Sequence, residues 1–395
     1  MAGSCTEGDG AVRIGFDVSQ TAETMAGCAI VADQLLRHLV PLSPSDQFIP
    51  YPIFGPYRSQ LFAAATRPNH PNVVASQFDM DWATLNEGWD TLDDSRSFLA
   101  DPDVVHSNSF WCPRHITAPV VYTLYDMSPI ECPWFHTEAN RLICFDGIFD
   151  ASLHAAHLVA ISESSRRAFL KWFPHVDGDR VTVVYPAARP SIVAPVTDEA
   201  IARVLQKYAL QQDRFWLAVG TIEPRKNYRQ LLEAYAALVA DRPADTRPLC
   251  IVGQAGWLES SLDPLVRQLG IGDRVRCLGF VEDMELAALY RSAFAFLYPS
   301  KYEGFGLPVV EAMACGAAVV AMRSTSLPEV VGTSGLLVDP TSTGGFLEAM
   351  SALVKEPELR AELRAAALEQ AARFSWNRSA ASLLDLYRTI AAAHR

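Results

Sequence analysis

The sequence has no C-x-x-C spacing: its eight cysteines, at 5, 28, 112, 132, 144, 250, 277 and 315, are scattered. That excludes a zinc ribbon or a dense disulfide framework and reads as free thiols in a reducing cytoplasm. No apolar run is long enough to cross a bilayer. The opening, MAGSCTEGDGAVRIGF, has no basic stretch leading into an apolar one, so no signal peptide is expected. A basic surface is missing too. Lys and Arg number 33 against 45 Asp and Glu; residues 1–195 hold 12 against 22, and residues 196–395 hold 21 against 23. The acidic first half argues against nucleic acid or an anionic lipid surface as a broad partner. It fits a cytoplasmic chain that is soluble or only lightly associated with the cytoplasmic face of a membrane.

What is present is globular: half the residues are hydrophobic and a fifth charged. At 395 residues the chain exceeds one ordinary core, so two domains are expected. Short apolar runs alternate with helical periodicity, the mark of an α/β architecture with parallel sheets. In the first half VRIGFDV, DVVHSNS, VVYTLYD, HLVAIS and VTVVYP read as strands. Helices are expected over Gly27–Leu39, Asn140–Ala156 and Glu163–Trp172. The segment Pro186–Ala200, with three prolines, reads as a linker. The rhythm then restarts as a doubly wound domain with strands FWLAVGT, PLCIVG, RVRCLGF, AFAFLYPS and AAVVAM. The expected layout is residues 1–190, residues 200–377, and a final amphipathic helix, about 378–395, packing back on the first domain.

In open α/β sheets ligands bind beyond the carboxyl ends of strands. Two loops there stand out. In AVGTIEPRKNYRQLL a strand ends at Gly220, Asn227 is placed to cap the next helix, and Arg225 and Lys226 sit at its start. Cations beside free backbone N–H groups suit a diphosphate, although most adjacent Arg-Lys pairs are simply solvated. In SKYEGFGLPVVEAMACG, Gly304 and Gly306 let the backbone approach a ligand closely. Pro308 fits the first helical position, Glu311 is expected in the first turn, and Glu303 in the loop. Alone, Glu303 reads as an exposed charge and Glu311 as a helix-dipole partner. Together with the glycines they read as a site.

GTIEPRKN, IVGQAGW, CLGFVEDMELAALYRSA, YPSKYEGFGLPVVEAMACGAAVVA, SLPEVVGTSGLLVDP and FSWNRSAASLLDLY, in this order over most of residues 213–390, resemble the family 4 retaining glycosyltransferases of the GT-B fold. GCAIVADQLLRHL, VVYTLYD and HLVAISESSRRAFLKWF resemble it more loosely. The resemblance implies two Rossmann-like doubly wound domains facing across a cleft. It implies a nucleotide-sugar donor, GDP- or UDP-linked, a saccharide or lipid-linked oligosaccharide acceptor, and no metal or other cofactor. Mannose is the sugar implied, for a polysaccharide or a glycoconjugate such as lipopolysaccharide. Arg225 and Lys226 would bind the diphosphate, Glu303 the donor sugar and Glu311 the ribose. The amides around Phe305, Gly306 and Leu307 would face the distal phosphate. Gly253 and the Phe280–Val281 turn would lie near the base, and Gly27 would approach the phosphates from across the cleft. Many relatives carry His-Asp where this chain has Tyr125-Asp126; Tyr125 would bond the sugar and Asp126 position the acceptor. A sugar phosphorylase, a nucleotide-sugar epimerase, or a degenerate sugar-binding subunit are the alternatives within this fold.

Other motifs compete. Asp79-Met80-Asp81 matches the D-x-D of metal-dependent glycosyltransferases but lies in an acidic stretch with Asp90, Asp93 and Asp94. His154 and His157 would share a helical face, His106 ends a strand, and Ser162, Glu163 and Ser165 read as a helix start.

Overall fold

A computed structural model describes residues 11–22, 25, 27–55, 57–58, 64–90, 98–245, 247–256, 258 and 261–394. Each half is built on one six-stranded, wholly parallel sheet. In the N-terminal half the strands lie side by side in the order Gln47–Tyr51, Arg13–Asp17, Val104–Ser107, Val120–Leu124, His157–Ala160 and Val181–Val183. In the C-terminal half the order is Val275–Gly279, Leu249–Val252, Trp216–Val219, Ala295–Tyr298, Val319–Met322 and Leu336–Val338. Helices cover both faces of such sheets, so inner strands such as Val120–Leu124 and Val319–Met322 are buried along their whole length. The two halves form the GT-B architecture expected from the motifs.

Two strands of these sheets escape the sequence pattern, and both are edge strands. Gln47–Tyr51 contains Pro50, which speaks against a strand. Phe48 gives its N–H to Asn72 on the outer side of the sheet (2.9 Å), and Pro50, two residues on, aims its missing N–H the same way. Leu336–Val338 is only three residues long. The expected helix at Glu163–Trp172 is present with those bounds; that at Asn140–Ala156 runs over Glu138–His154.

The second sheet places the chemistry. From Trp216–Val219 the chain winds outward one way, then returns to lay Ala295–Tyr298 on the other side of that strand. The crevice at this reversal lies between the loops that leave these two strands, residues 220–227 and 299–306. The last helix, Trp376–Ala393, packs along Gly27–Leu42 of the first half. Its Arg388 reaches Asp46 (3.0 Å) and Ser43 (2.9 Å), and the Trp376 ring stacks on His38.

Candidate active site

Pro224–Lys226 forms one tight turn after Gly220 and presents both cations to the neighbouring loop. Arg225 donates from Nη1 to the Tyr302 carbonyl (2.8 Å) and pairs with Glu303 Oε2 (2.9 Å). Its Nη2 bonds Glu223 Oε1 at 2.6 Å. Lys226 Nζ donates to Glu303 Oε1 (2.6 Å) and to the Tyr298 hydroxyl (2.7 Å), which itself donates to Glu303 Oε1 (3.0 Å). Burial pushes the Glu303 carboxyl up, but the Arg225 and Lys226 charges overcome it and hold it at about 2. Glu303 is therefore ionised throughout the neutral range. Burial lowers the Lys226 ammonium from its ordinary value, against the pull of Glu303.

Asn227 does not cap the following helix. It sits in the left-handed region (φ 55°), which turns its side chain away from the helix N–H groups. The amide instead donates to the Pro299 carbonyl (3.2 Å) and to Gln230 (2.7 Å). With the Lys301 N–H on the Arg225 carbonyl (2.9 Å), it ties the two crevice loops together.

The helix after the second loop runs Leu307–Ala314, so Pro308 is its second residue and Glu311 lies just past the first turn rather than in it. Gly306 supplies the turn into the helix at φ +104°, a conformation closed to ordinary side chains. The Val309 and Val310 N–H groups return to the Gly306 carbonyl and Pro308 has none, so the amides of Gly306 and Leu307 take no partner among the described residues. Glu311, 2 % exposed, is held end-on by a residue the motifs did not flag. Arg189 donates from Nε to Oε1 (2.5 Å) and from Nη2 to Oε2 (3.0 Å), while its Nη1 bonds Asp283 (2.5 Å). Arg189 lies in the stretch read as a linker, where a proline-rich composition hid a side chain of the cavity wall.

A cavity of about 450 Å³ between the halves gathers most of the expected residues. Gly27, Tyr125 and Asp126 line it from the first half. Gly220, Arg225, Lys226, Glu303, Gly304, Phe305, Gly306, Leu307 and Glu311 line it from the second. Gly253, Phe280 and Val281 are not part of its wall: Gly253 bonds the Gly279 carbonyl (2.9 Å), Phe280 is more than half exposed and Val281 is buried. Glu223 and Arg189 are in the wall and were missed. At Gly304 the halves touch so closely that a Cβ would lie 2.3 Å from the Tyr125 carbonyl oxygen. The Tyr125 hydroxyl is committed to main chain, donating to the carbonyls of Asn108 (2.9 Å) and Cys28 (3.2 Å). Asp126 takes the N–H (2.8 Å) and hydroxyl (2.6 Å) of Ser128 on Oδ1.

The competing motifs have other employment. Asp81 accepts from the Thr84 N–H (2.9 Å) and hydroxyl (2.8 Å) at the start of a helix; Asp79 closes the preceding short turn, and Asp93 and Asp94 lie outside the described residues. His154 ends its helix and His157 opens a strand, bonding Thr182 (2.9 Å), so they share no helical face. His106 is fully buried between Tyr387 and Thr123. The Thr123 hydroxyl proton goes to Asn108 (2.9 Å), so His106 Nε2 donates to Thr123 and Nδ1 accepts from Tyr387. Burial lowers this imidazole to about 3, consistent with that neutral tautomer. Ser162 caps its helix through the Ser165 N–H (3.0 Å).

That helix is capped a second time from across the cleft. Glu329 of the second half accepts the N–H groups of Glu163 (3.0 Å) and Ser164 (2.9 Å) and the Tyr185 hydroxyl (3.0 Å). Tyr302 likewise donates across to Glu131 (2.8 Å). Glu329→Ala strips two helix N–H groups of a charged acceptor and is expected to cost about 2 kcal/mol, read as a lower denaturant midpoint. Glu329→Gln, which keeps one acceptor oxygen, should recover part of it. An unchanged midpoint in Glu329→Ala would mean that water replaces the carboxylate without loss.

Residues 201–370 match the family Glycosyl transferases group 1. The chain is 35% identical over 291 residues to the O-antigen chain mannosyltransferase B of Escherichia coli, covering 73% of this chain and 74% of that one. The chain belongs to the group 1 glycosyl transferases. It is also 32% identical over 307 residues to the D-inositol 3-phosphate glycosyltransferase of Thermobispora bispora, covering 72% and 70%. Among solved structures it resembles Anabaena Alr3699/HepE in complex with UDP and glucose, with a TM-score of 0.70 at 18% identity over 96% of this chain and 100% of that one. This glycosyltransferase thus shares its fold with proteins far apart in sequence. No helix among its described residues is long and apolar enough to cross a membrane.

Proposed function

We propose that this glycosyltransferase moves a sugar, mannose in the first instance, from a nucleoside diphosphate to a hydroxyl of a saccharide or lipid-linked saccharide, with retention and without a metal. The observation that carries the reading is the pairing, on one cavity wall, of two cations with open helix amides. Arg225 and Lys226 face the same space as the Gly306 and Leu307 N–H groups. Fixed positive charge and helix dipole together suit a departing diphosphate and can take the place of a divalent ion. In this reading the acceptor hydroxyl attacks the anomeric carbon on the face the diphosphate leaves. The C–O bond to the diphosphate breaks, and the hydroxyl proton passes to a diphosphate oxygen. Asp126, whose Oδ1 is pinned by Ser128, holds the acceptor, and Glu303 orients the donor sugar. The name of the Escherichia coli relative supports mannose.

A melting screen with GDP, UDP, ADP and their sugars tests this. One nucleotide should stabilise the protein by about 2.7 kcal/mol at a hundredfold excess over its Kd, unchanged by EDTA. Stabilisation by none of them, or only with added Mg²⁺, would overturn the donor site as drawn. Release of sugar phosphate that requires orthophosphate and no nucleotide would make the protein a phosphorylase.

A further inference from the structure

We propose that Glu223 takes up a proton from solvent when a nucleoside diphosphate binds. This rests on the donor-site reading above. Glu223 is 1 % exposed and stands in the cavity wall. Its Oε1 accepts from Arg225 Nη2, but its Oε2 has neither solvent nor a partner among the described residues. A bare carboxylate oxygen in a dry setting is costly. A carboxylic acid at the same place carries no charge, so burial costs it less.

The surrounding charges make the uptake conditional on the ligand. Arg225 and Lys226 on its own turn and Glu303 on the facing loop act on Glu223 directly; Tyr298 and Asp126 join through Glu303 and Arg225. The loop packed on its Cβ at Gly256 carries no charge among its described residues. Counted formally, two cations balance two carboxylates. Burial already raises the Glu223 carboxyl and the two cations oppose it. A diphosphate drawn to Arg225 and Lys226 adds negative charge exactly where those cations sit, so their hold on an ionised Glu223 weakens and the acid form is favoured.

Binding of GDP, UDP and ADP by the wild type and by Glu223→Gln, between about pH 7.5 and 8.5, tests the inference; there the terminal phosphate is ionised and the guanine and uracil N–H groups still hold their protons. The glutamine is neutral and carries N–H donors, a fixed stand-in for the protonated acid. Wild-type affinity should rise as pH falls, towards about tenfold per unit, with calorimetric proton uptake in buffers of differing ionisation enthalpy. Glu223→Gln should bind with a flat profile and more tightly than wild type at about pH 8.5. A flat wild-type profile overturns the proposal, and this measurement needs no variant. A slope that persists in Glu223→Gln places the proton on Lys226 and overturns it equally. Failure of both proteins to bind any nucleotide removes the donor site itself, and the inference with it.

Discussion

Replacing Arg225 and Lys226 together with alanine is expected to remove turnover, a loss of at least about 10³-fold in kcat. The same change strips Glu303 of both its ionic partners. An ionised carboxylate left alone in a buried site is destabilising by about 3–5 kcal/mol, so lost activity in this variant could reflect lost folding. Adding Glu303→Gln separates the two. The triple variant should regain much of the melting temperature, because the unpaired charge is gone, yet remain inactive, because neither of the two cations is left to hold the diphosphate. Sugar transfer at the wild-type rate in the double variant, measured with the nucleotide sugar that stabilises the wild type, would end the proposed role of both cations.

The second large effect concerns stability. Arg189→Ala leaves Glu311, which is 2 % exposed, without the guanidinium that meets both its oxygens. The expected cost is again about 3–5 kcal/mol, or a fall in melting temperature of roughly 10 °C for a chain region of this size. Arg189→Ala combined with Glu311→Ala should be milder than Arg189→Ala alone, since removing both partners leaves no orphan charge. Two single effects that simply add would show that the pair is not coupled. The contact also bears on the ribose. An end-on guanidinium uses the face of Glu311 that a vicinal diol would choose, so a ribose approaching Glu311 must share the carboxylate with Arg189.

Much of this was legible in the sequence because parallel strands buried on both faces are read from apolar runs. The inner strands and most of the cavity wall follow from that. The edge strands Gln47–Tyr51, with its proline, and Leu336–Val338 do not carry the signal. Arg225, Lys226 and Glu303 could be found because they sit in loops between a strand and a helix, where side chains meet ligands. Their mutual pairing could not, since it joins residues 77 and 78 positions apart. Arg189 and Glu223 were hidden differently. One lies in a proline-rich stretch that resembles a connector; the other stands beside a more conspicuous Arg-Lys pair. Asn227 shows the limit of a capping rule: the residue type was right and the backbone angle was not.

The return of Trp376–Ala393 to the first half has a consequence for how the molecule is made. Tyr387 supplies one of the two partners of buried His106, and Arg388 the cation that pairs with Asp46, which is 2 % exposed. Both arrive on a helix synthesised after both sheets. A nascent chain emerging from the ribosome can complete its second sheet while the first still waits with an uncovered helix and unpaired polar groups. The half that is translated first is therefore the half that matures last, and the interval between them is when this protein is most exposed to misassembly.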